Sequence, residues 1–480
     1  MAKVHQETSS RRLPTRRHWT FPPTSHNVTD HYREWFTESL RGGMAMSVDS
    51  GQLHGGRSFD PYGAHRDDPY SFLADIGDTQ PVFYAPLLDA WCVTRREDMV
   101  AVLRDDRNFS ARDHNPRSKV ALPEDVTRML RTWRGAGALA VGSLDPPEHA
   151  RIREVLNVGF TPARVRAFEP TIRAIATDLV ERTAVAPEFD FITDFAVPYS
   201  LEVICRRLGI PDEYLDRCRM WSEQRIELMM LQRYTDPDRL RECARGLMDF
   251  GTFARSLVRE RLASPQDDLI SELLHDGKAG QTLTADEASV QIPTLIFAGH
   301  MTCAEALGTI LFQQLQSPGG WAEVVDGTIA TRDLVEEGLR FDSPLAGMYR
   351  SAVNDVVVGD VHLAAGSRLL LLYGAAGRDS QSHACPAGFS PGSGSATHLA
   401  FGHGIHFCLG AGFARLELEI AIQAVATRMP GLTLAPGLPP RHRPVFPLRA
   451  LTELRVRQQG RISGRSSGDV DDTSAPTELR

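Results

Sequence analysis

The spacing of apolar residues along the chain changes from a strand-like to a helical period. The segment Pro81–Thr94 alternates and is rich in Val, Phe, Tyr and Trp, which predicts a pair of β-strands. From Pro147 onward, apolar positions recur at helical spacing with charges on the opposite face, a pattern typical of amphipathic helices. The helices predicted in this region are Arg151–Val158, Pro162–Thr183, Tyr199–Leu208, Glu213–Met230 and Asp238–Ala263.

A longer helix follows, and its first turn carries a capping signal. Thr284 is followed three residues later by Glu287, which predicts a capping box, and the helix then runs through an apolar middle to about Gln316. The remaining predicted elements are a helix at Arg332–Arg340, a hairpin at 356–363 and a strand at 368–372. The order is mainly α with a minor β region. The sequence has neither βαβ alternation nor a G-x-G-x-x-G motif, which excludes a nucleotide-binding half of the Rossmann type.

The two ends of the chain differ from this patterned block. Residues 1–56 are polar and, apart from a short candidate helix at 31–40, show no sustained period, so we predict a mostly disordered extension. Residues 459–480 have the same character and predict a disordered tail. The block at 57–458 contains no Pro-, Gly- or Ser-rich linker, and we therefore expect it to form one domain.

Composition narrows the class of protein. The 480 residues include 53 Lys plus Arg against 61 Asp plus Glu, for a net charge of −8, so the chain has no global basic field to hold a nucleic acid. Its 42% hydrophobic and 24% charged residues are ordinary for a globular protein. No run approaches the roughly 18 consecutive apolar residues of a membrane helix, and no targeting signal is visible. We expect a cytoplasmic protein without a membrane segment.

The seven cysteines are scattered, odd in number and without a C-x-x-C pair, which indicates a reducing compartment and excludes a structural zinc site of that type. One of them, Cys408, lies in a glycine-rich loop just before a helical run. Loop N–H groups and the positive end of that helix favour a thiolate, which serves as a metal ligand or a nucleophile. A buried structural cysteine in a glycine turn is the alternative.

The ten residues from Phe401 to Gly410 fit the frame F-x-x-G-x-H-x-C-x-G. This frame resembles the haem-binding loop of the cytochrome P450 monooxygenases, in the form of the soluble bacterial members. The resemblance extends from about residue 59 to 456. It implies a single-domain P450 fold, a helical prism around a buried haem b. It also implies that Cys408 is the axial iron ligand, that Phe401 and Gly402 lie beside the haem, and that His406 contacts a haem propionate.

Three further motifs occur in the order expected from this resemblance. Glu337 and Arg340 form an E-x-x-R pair on one helix face, which is similar to the structural ion pair of the family. His149 and Arg153, at i and i+4, share a face and suit a carboxylate ligand. In the family that ligand is a haem propionate, and Arg350 is implied to bind the other. Taken alone, an E-x-x-R pair is more often a solvated surface pair, and each of the three cations is compatible with an ordinary surface side chain, but their joint placement argues against that alternative.

The last of these motifs lies in the long apolar helix. Ala298 and Gly299, followed by Thr302, resemble the oxygen-activating segment of the family, in which small residues give oxygen and substrate access to the helix and the threonine steadies a proton-delivering water. Met301 occupies the position where the family usually carries Asp or Glu, and a thioether carries no proton. We therefore expect a relay through water or substrate, with His300 and Glu305 as candidate donors.

A second departure from the family pattern is Gly388, which stands where relatives place an arginine that completes the E-x-x-R network. We expect Glu337 to have one partner fewer, and the haem loop to be less rigid, unless Arg378 or another cation substitutes.

Candidate substrate contacts follow from the resemblance as well. They are Phe297 on the apolar helix, Met229 on the preceding helix pair, and Leu345 and Met348 after the E-x-x-R helix. The methionines give a pliable apolar lining.

The function implied is insertion of one oxygen atom from O₂ into a small organic substrate, by hydroxylation or epoxidation, as a step in secondary metabolite biosynthesis. A carrier-protein-bound substrate is compatible with the sequence. Electrons are expected from a ferredoxin and its reductase. The alternatives are a peroxide-driven haem-thiolate enzyme, suggested by Met301, and a degenerate haem protein with a binding role. The sequence does not name the substrate.

Overall fold

A computed structural model describes residues 56–77, 79–112, 114–116, 121–134, 139–231, 235–276, 282–393 and 397–458. The predicted extension at 1–56, apart from Gly56, and the tail at 459–480 lie outside these residues. The α-helices are α1 Tyr70–Gly77, α2 Arg96–Arg104, α3 Glu124–Arg134, α4 Glu148–Val158, α5 Pro162–Thr183, α6 Val197–Leu208, α7 Leu215–Met230, α8 Pro237–Ala263, α9 Leu269–His275, α10 Ala285–Gln316, α11 Gly320–Val325, α12 Thr331–Phe341, α13 Tyr373–Ala376 and α14 Ala411–Arg428. The strands are β1 Val82–Ala85, β2 Ala90–Val93, β3 Phe109–Ser110, β4 Glu188–Asp190, β5 Met348–Ala352, β6 Val356–Val358, β7 Val361–Leu363, β8 Arg368–Leu371, β9 Leu432–Leu434 and β10 Arg455–Gln458.

The helices predicted from the apolar period are confirmed, with their ends within a few residues of the expected positions. Side-chain caps account for several of the starts. The Thr161 hydroxyl accepts the Arg164 N–H at the start of α5, and Asp236 caps α8. At α10, Thr284 and Glu287 exchange hydrogen bonds between side chain and backbone, which is the predicted capping box.

The strands form three small sheets beside the helices. Five strands join in the order β1-β2-β8-β5-β3, in which only the β2–β8 pair is parallel. A three-stranded sheet has the order β4-β10-β9, and β6 and β7 make the predicted hairpin. The architecture is therefore mainly α with a minor β region, as predicted.

Helix α10 runs through the centre of the fold and packs against α6, α8, α12 and α14. Among the described helices it is long and apolar enough to cross a membrane, but 67% of its apolar window is buried inside the protein, as in the core helix of a globular fold. Buried residues of α10, α5, α12 and α14 share one hydrophobic cluster. The face of α10 that carries Ala298 is the exception, because Ala298 is exposed while its neighbours are buried or half-buried.

Close contact between α6 and α10 depends on Gly299. A Cβ at this position would lie 2.8 Å from Cγ1 of Ile204 on α6, closer than two carbon atoms pack. The sequence suggested that Gly299 opens the helix to oxygen and substrate. That interpretation is wrong, since the glycine faces a neighbouring helix and serves the packing between helices.

We expect Gly299→Ala to destabilise the fold by about 1–3 kcal/mol, because the added methyl group overpacks the α6–α10 contact. In an Ile204→Ala background, the same change should become neutral or stabilising, since the clash is gone and alanine favours a helix by about 1 kcal/mol. Denaturant unfolding of the four proteins in this double-mutant cycle measures the effect. The same cost in both backgrounds would show that Ile204 is not the cause.

Candidate active site

The loop before α14 holds Cys408 by backbone bonds. The Cys408 N–H donates to the carbonyl of Phe401 at 2.8 Å, and residues Gly404–His406 form a single 3₁₀ turn. Gly402 and Gly404 have φ of 69° and 70°, a region that other residues enter at a cost. A Cβ on Gly404 would also lie 2.1 Å from a backbone oxygen of α2, so this glycine fixes the loop against that helix.

The electrostatic surroundings of Cys408 differ from the sequence-based expectation. Burial raises the pKa of the thiol, and the Gly410 N–H and the guanidinium groups of Arg153 and Arg415 lower it by less. The predicted effect of a loop N–H on the sulfur is thus present, but burial outweighs it and the pKa of the thiol is raised. A buried thiolate here needs a further positive charge beside the sulfur, which a bound metal ion supplies.

Basic side chains from four parts of the chain meet on one side of this loop. The imidazole rings of His149 on α4 and His406 in the loop have centroids 4.1 Å apart. Burial, together with the positive charges of Arg350 and other nearby basic groups, lowers the pKa of His406 to about 3. His114 is under the same influence, since burial and Arg350 lower its pKa to about 4. Arg153 donates to the carbonyl of Phe407 at 2.6 Å, which joins α4 to the loop.

The basic cluster leaves one buried ring nitrogen unsatisfied, although the charges of Asp145 and Asp106 act on the His149 ring. His149 is 2% exposed, and its Nε2 is buried without a hydrogen-bond partner. A buried polar atom of this kind costs free energy unless a ligand satisfies it. Two carboxylates would meet the requirement, and the two haem propionates supply them. The residues present therefore fit a haem whose iron lies at Cys408 and whose propionates lie at His149, Arg153, Arg350 and His406.

The E-x-x-R pair is buried elsewhere, in the packing of α12 against the loop that follows β8. Arg340 donates to both carboxylate oxygens of Glu337 at 2.7 Å. The same guanidinium group donates to the carbonyls of Gly377, Pro386 and Gly388. The pair therefore ties α12 to the segment leading to the Cys408 loop, and the surface alternative is excluded for it.

Gly388 takes part in this network through its backbone. Its carbonyl accepts from Arg340 at 2.6 Å, and the Ser390 N–H donates to Glu337 at 2.8 Å. Arg378 donates instead to the Phe341 carbonyl and lies over the ring of that residue. Glu337, which we expected to have one partner fewer, thus has both carboxylate oxygens hydrogen-bonded, by Arg340 and by the Ser390 main chain.

Thr302 lies on the accessible face of α10, one turn beyond Ala298. Its hydroxyl donates to the Ala298 carbonyl at 2.9 Å, which holds the side chain along the helix. Met301 faces elsewhere and is buried with Ile226, Val445 and Leu448. The position of the usual acid is therefore part of an apolar core in this chain.

The two candidate proton donors near Met301 are fixed in other directions. The His300 ring is fully buried and bonds through Nδ1 to the Ile296 carbonyl of its own helix at 2.7 Å. Glu305 accepts from the Leu451 N–H at 3.2 Å, and burial raises its pKa to about 8. Both lie in a buried charge group with Glu223 and Arg443, so no described contact links either of them to Thr302.

A buried acid that the sequence reasoning missed lies on α14. Glu417 is 1% exposed, neither carboxyl oxygen has a hydrogen-bond partner of good geometry, and burial raises its pKa well above the usual range. The side chain interacting with it is Cys303, which is adjacent to Thr302 and interacts with its hydroxyl group as well. The signal in the sequence is position, since Glu417 follows Phe413 by four residues on the apolar face of its helix.

Two of the four candidate substrate residues are connected by an arginine that sequence reasoning also missed. The guanidinium carbon of Arg225 on α7 lies 4.6 Å from the ring centroid of Phe297, and its Nε donates to the sulfur of Met229 at 3.4 Å. Met348 begins β5, and Leu345 pairs in an isolated bridge with Leu448. The structure thus brings Phe297 and Met229 together around Arg225.

Comparison with known proteins identifies the family. A family model described as Cytochrome P450 matches residues 330–428. The 6-deoxyerythronolide B hydroxylase of Saccharopolyspora erythraea is 32% identical over 76% of this chain and 90% of its own. Cyclomarin C epoxidase CymV of Salinispora arenicola is 32% identical over 78% and 90%. The crystal structure of P450BioI with an acyl carrier protein that bears hexadec-9Z-enoic acid has a TM-score of 0.72 at 30% identity, covering 82% of this chain and 99% of that one.

The chain belongs to the cytochrome P450 family, of the soluble bacterial type. It has the P450 fold and is a monooxygenase, an oxidoreductase that uses haem b, O₂ and electrons from external donors. The resemblance seen in the sequence is confirmed, and nothing in the comparisons favours a peroxide-driven or degenerate haem protein.

We expect Arg340→Gln to destabilise the protein by about 3–5 kcal/mol, because Glu337 is left as a buried carboxylate without its cation.

Gly388→Arg should leave the melting temperature unchanged, since backbone groups already satisfy the network and a Cβ at this position makes only ordinary contacts, 3.5 Å at the closest. Thermal unfolding of both variants measures this. A clear rise in melting temperature for Gly388→Arg would show that the network is incomplete.

Glu305 should make stability depend on pH. Its pKa is about 8 in the folded protein and ordinary in the unfolded chain, so the unfolded state loses the proton first as pH rises. The wild type therefore loses stability between about pH 4.5 and 8, and Glu305→Gln should not. We expect the variant's gain in melting temperature to grow over this range. A surface control, Glu323→Gln, should show no such trend, and a pH-independent difference for Glu305→Gln would contradict the assignment.

Proposed function

We propose that this monooxygenase carries out a hydroxylation or epoxidation on a small organic molecule as a tailoring step in secondary metabolism, in the cytoplasm. Its haem domain would comprise residues 57–458. The observation that carries the proposal is the basic cluster around His149 and His406. Its buried, unsatisfied nitrogen and converging arginines match two propionates, with Cys408 close by in the same loop. Two relatives named a hydroxylase and an epoxidase support the reaction class.

Each residue then has a distinct part. When bound, the haem supplies activation of O₂ at an iron whose potential the Cys408 thiolate tunes. His149, Arg153, Arg350 and His406 orient it through the propionates, while Phe401 and Gly402 shape the loop. The stack of Arg415 on the Phe401 ring, 4.4 Å from its centroid, stiffens that side of the loop.

On the other side, Ala298 and Thr302 form the reacting face of α10. Ala298 leaves room for substrate, and the Thr302 hydroxyl, fixed by its bond to the Ala298 carbonyl, positions a water molecule and passes protons. Since Met301 is apolar, the proposed routes for protons are water, the substrate, and the buried carboxyl group of Glu417 by way of Cys303. Phe297, Met229, Leu345 and Met348 would line the substrate pocket.

We also propose the external partners of the enzyme, which are its electron donors and the carrier of its substrate. The family uses redox partners, and we propose a ferredoxin with its reductase as the electron source. A structural neighbour binds an acyl carrier protein with its fatty acyl chain, so a carrier-bound substrate is a second option for delivery.

A carbon monoxide difference spectrum of the reduced protein tests the proposal. We expect the band of a thiolate-ligated haem in the wild type and its loss in Cys408→Ser, because a serine hydroxyl does not replace the axial thiolate. Cys385→Ser is the matched control, since Cys385 is an exposed cysteine outside this site, and it should retain the band.

Product formation by the same preparations separates the ways of driving the reaction. Turnover with NADPH, a ferredoxin and its reductase, and not with hydrogen peroxide alone, is expected. Freshly reduced wild type without a thiolate band would refute the proposal, as would a band that survives in Cys408→Ser.

A further inference from the structure

A carboxylate on α12 holds an arginine of α14 beside the Cys408 loop. Arg415 donates through Nε to one carboxylate oxygen of Glu336 and through a terminal nitrogen to the other, at 2.5 and 3.1 Å. In this bidentate arrangement the two planar groups have a fixed relative orientation. Glu336 immediately precedes Glu337, so two adjacent carboxylates of α12 hold two different arginines, Arg340 in the buried pair and Arg415 beside the loop.

His398 binds the same carboxylate from another direction. Its side chain is 4% exposed, and its Nε2 lies 3.2 Å from Glu336. The Ala400 N–H donates to Nδ1 at 3.2 Å, so Nδ1 carries no proton and Nε2 is the donor to Glu336. Burial acts to raise the pKa of Glu336, but the hydrogen bonds from His398 and Arg415 outweigh burial and lower that pKa to about 2. Glu336 is therefore ionised at physiological pH.

Arg415 connects this carboxylate to the Cys408 loop. Its guanidinium carbon lies 4.4 Å from the ring centroid of Phe401, and the Phe401 carbonyl accepts from the Cys408 N–H at 2.8 Å. Burial raises the pKa of the Cys408 thiol, and the charges of Arg153 and Arg415 are among the influences that lower it. Arg153 has a propionate as its proposed partner, while the partner of Arg415 is Glu336. The charge that reaches the sulfur from α14 is therefore that of Arg415, reduced by its pairing with Glu336.

We propose that Glu336 and Arg415 together set the reduction potential of the haem iron, with Arg415 raising the potential and Glu336 lowering it. A cation near the axial thiolate stabilises the reduced iron, which carries one positive charge fewer, and an anion does the opposite. Groups beside an axial ligand tune its donor strength and the potential of the metal. Glu336 is a positioning residue, because it acts by holding and partly neutralising Arg415. The proposal rests on the proposed function and adds a control of electron entry to it.

Potentiometric titration of the haem-loaded protein tests this assignment with variants that remove one charge at a time. Glu336→Gln keeps an acceptor for Arg415 and removes the negative charge, so the potential should rise. Arg415→Gln removes the positive charge, so the potential should fall. Each shift should correspond to about a three- to tenfold change in the one-electron equilibrium constant, which is about 30–60 mV. The double variant, which lacks both charges, should lie near the wild type.

Two further variants separate the effect of charge from that of shape. Glu336→Asp retains the carboxylate and should stay near the wild-type potential, and Arg415→Lys retains the charge and should recover most of the fall seen in Arg415→Gln. The matched control is Glu188→Gln. Glu188 pairs with Arg455 at 2.8 Å between β4 and β10, where both side chains are 46% exposed, and this variant should keep the wild-type potential.

The direction of the shifts distinguishes this role from a structural one. Loss of support for the loop would move the two single variants in the same direction. Shifts of equal sign, an unchanged potential in Glu336→Gln, or a double variant that shifts as far as one of the single variants would overturn the proposal. Should Arg415→Gln not retain haem, the sign of the Glu336→Gln shift decides.

The carbon monoxide spectrum is recorded on each preparation, so that this proposal and the proposed function can fail separately. A wild type without the thiolate band refutes the proposed function and this proposal with it. A wild type that shows the band, with variants whose potentials shift in the same direction, refutes this proposal alone.

Discussion

The guanidinium group of Arg340 is the interaction that ties α12 to the segment leading to the Cys408 loop. This one side chain donates to the carboxylate of Glu337 on α12 and to the carbonyls of Gly377, Pro386 and Gly388. The three carbonyls belong to a segment with little regular structure. Such a segment has no ladder of its own to satisfy its backbone groups, so it needs a donor with several N–H groups in fixed directions. The chain leaving this segment forms the Cys408 loop, whose position therefore derives from a buried ion pair.

Two features of the site concern charge, namely the basic cluster beside the Cys408 loop and the Cys408 sulfur itself. In the cluster, burial lowers the pKa of His149 and His406, and the buried Nε2 of His149 has no hydrogen-bond partner. In the loop itself, burial raises the pKa of the Cys408 thiol. Both features are costly in the protein alone, and one cofactor resolves both, since its iron stabilises a thiolate and its propionates satisfy the basic groups.

Sequence patterns predicted the helical framework well, because the long amphipathic helices carry their own period and caps. Within the site, the sequence predicted the local geometry where a motif fixes both residue type and spacing, as in the buried Glu337–Arg340 pair and the turn that holds Cys408, while the roles of the site residues stay predictions. Prediction failed where the role of a residue depends on the atoms that pack against it in the folded protein. Gly299 proved to face Ile204, Gly388 proved to act through its carbonyl, and the Cys408 pKa follows burial. Arg225 and Glu417 escaped notice because single charged residues on helices become meaningful only when their neighbours are known.

The backbone solution at Gly388 bears on how such enzymes are recognised from sequence. Gly388 enters this network through its carbonyl alone, and the Ser390 N–H bonds Glu337, so the pair is buried and hydrogen-bonded without a side chain at position 388. A search pattern that demands an arginine at this position would therefore pass over this chain, although its E-x-x-R pair is in place.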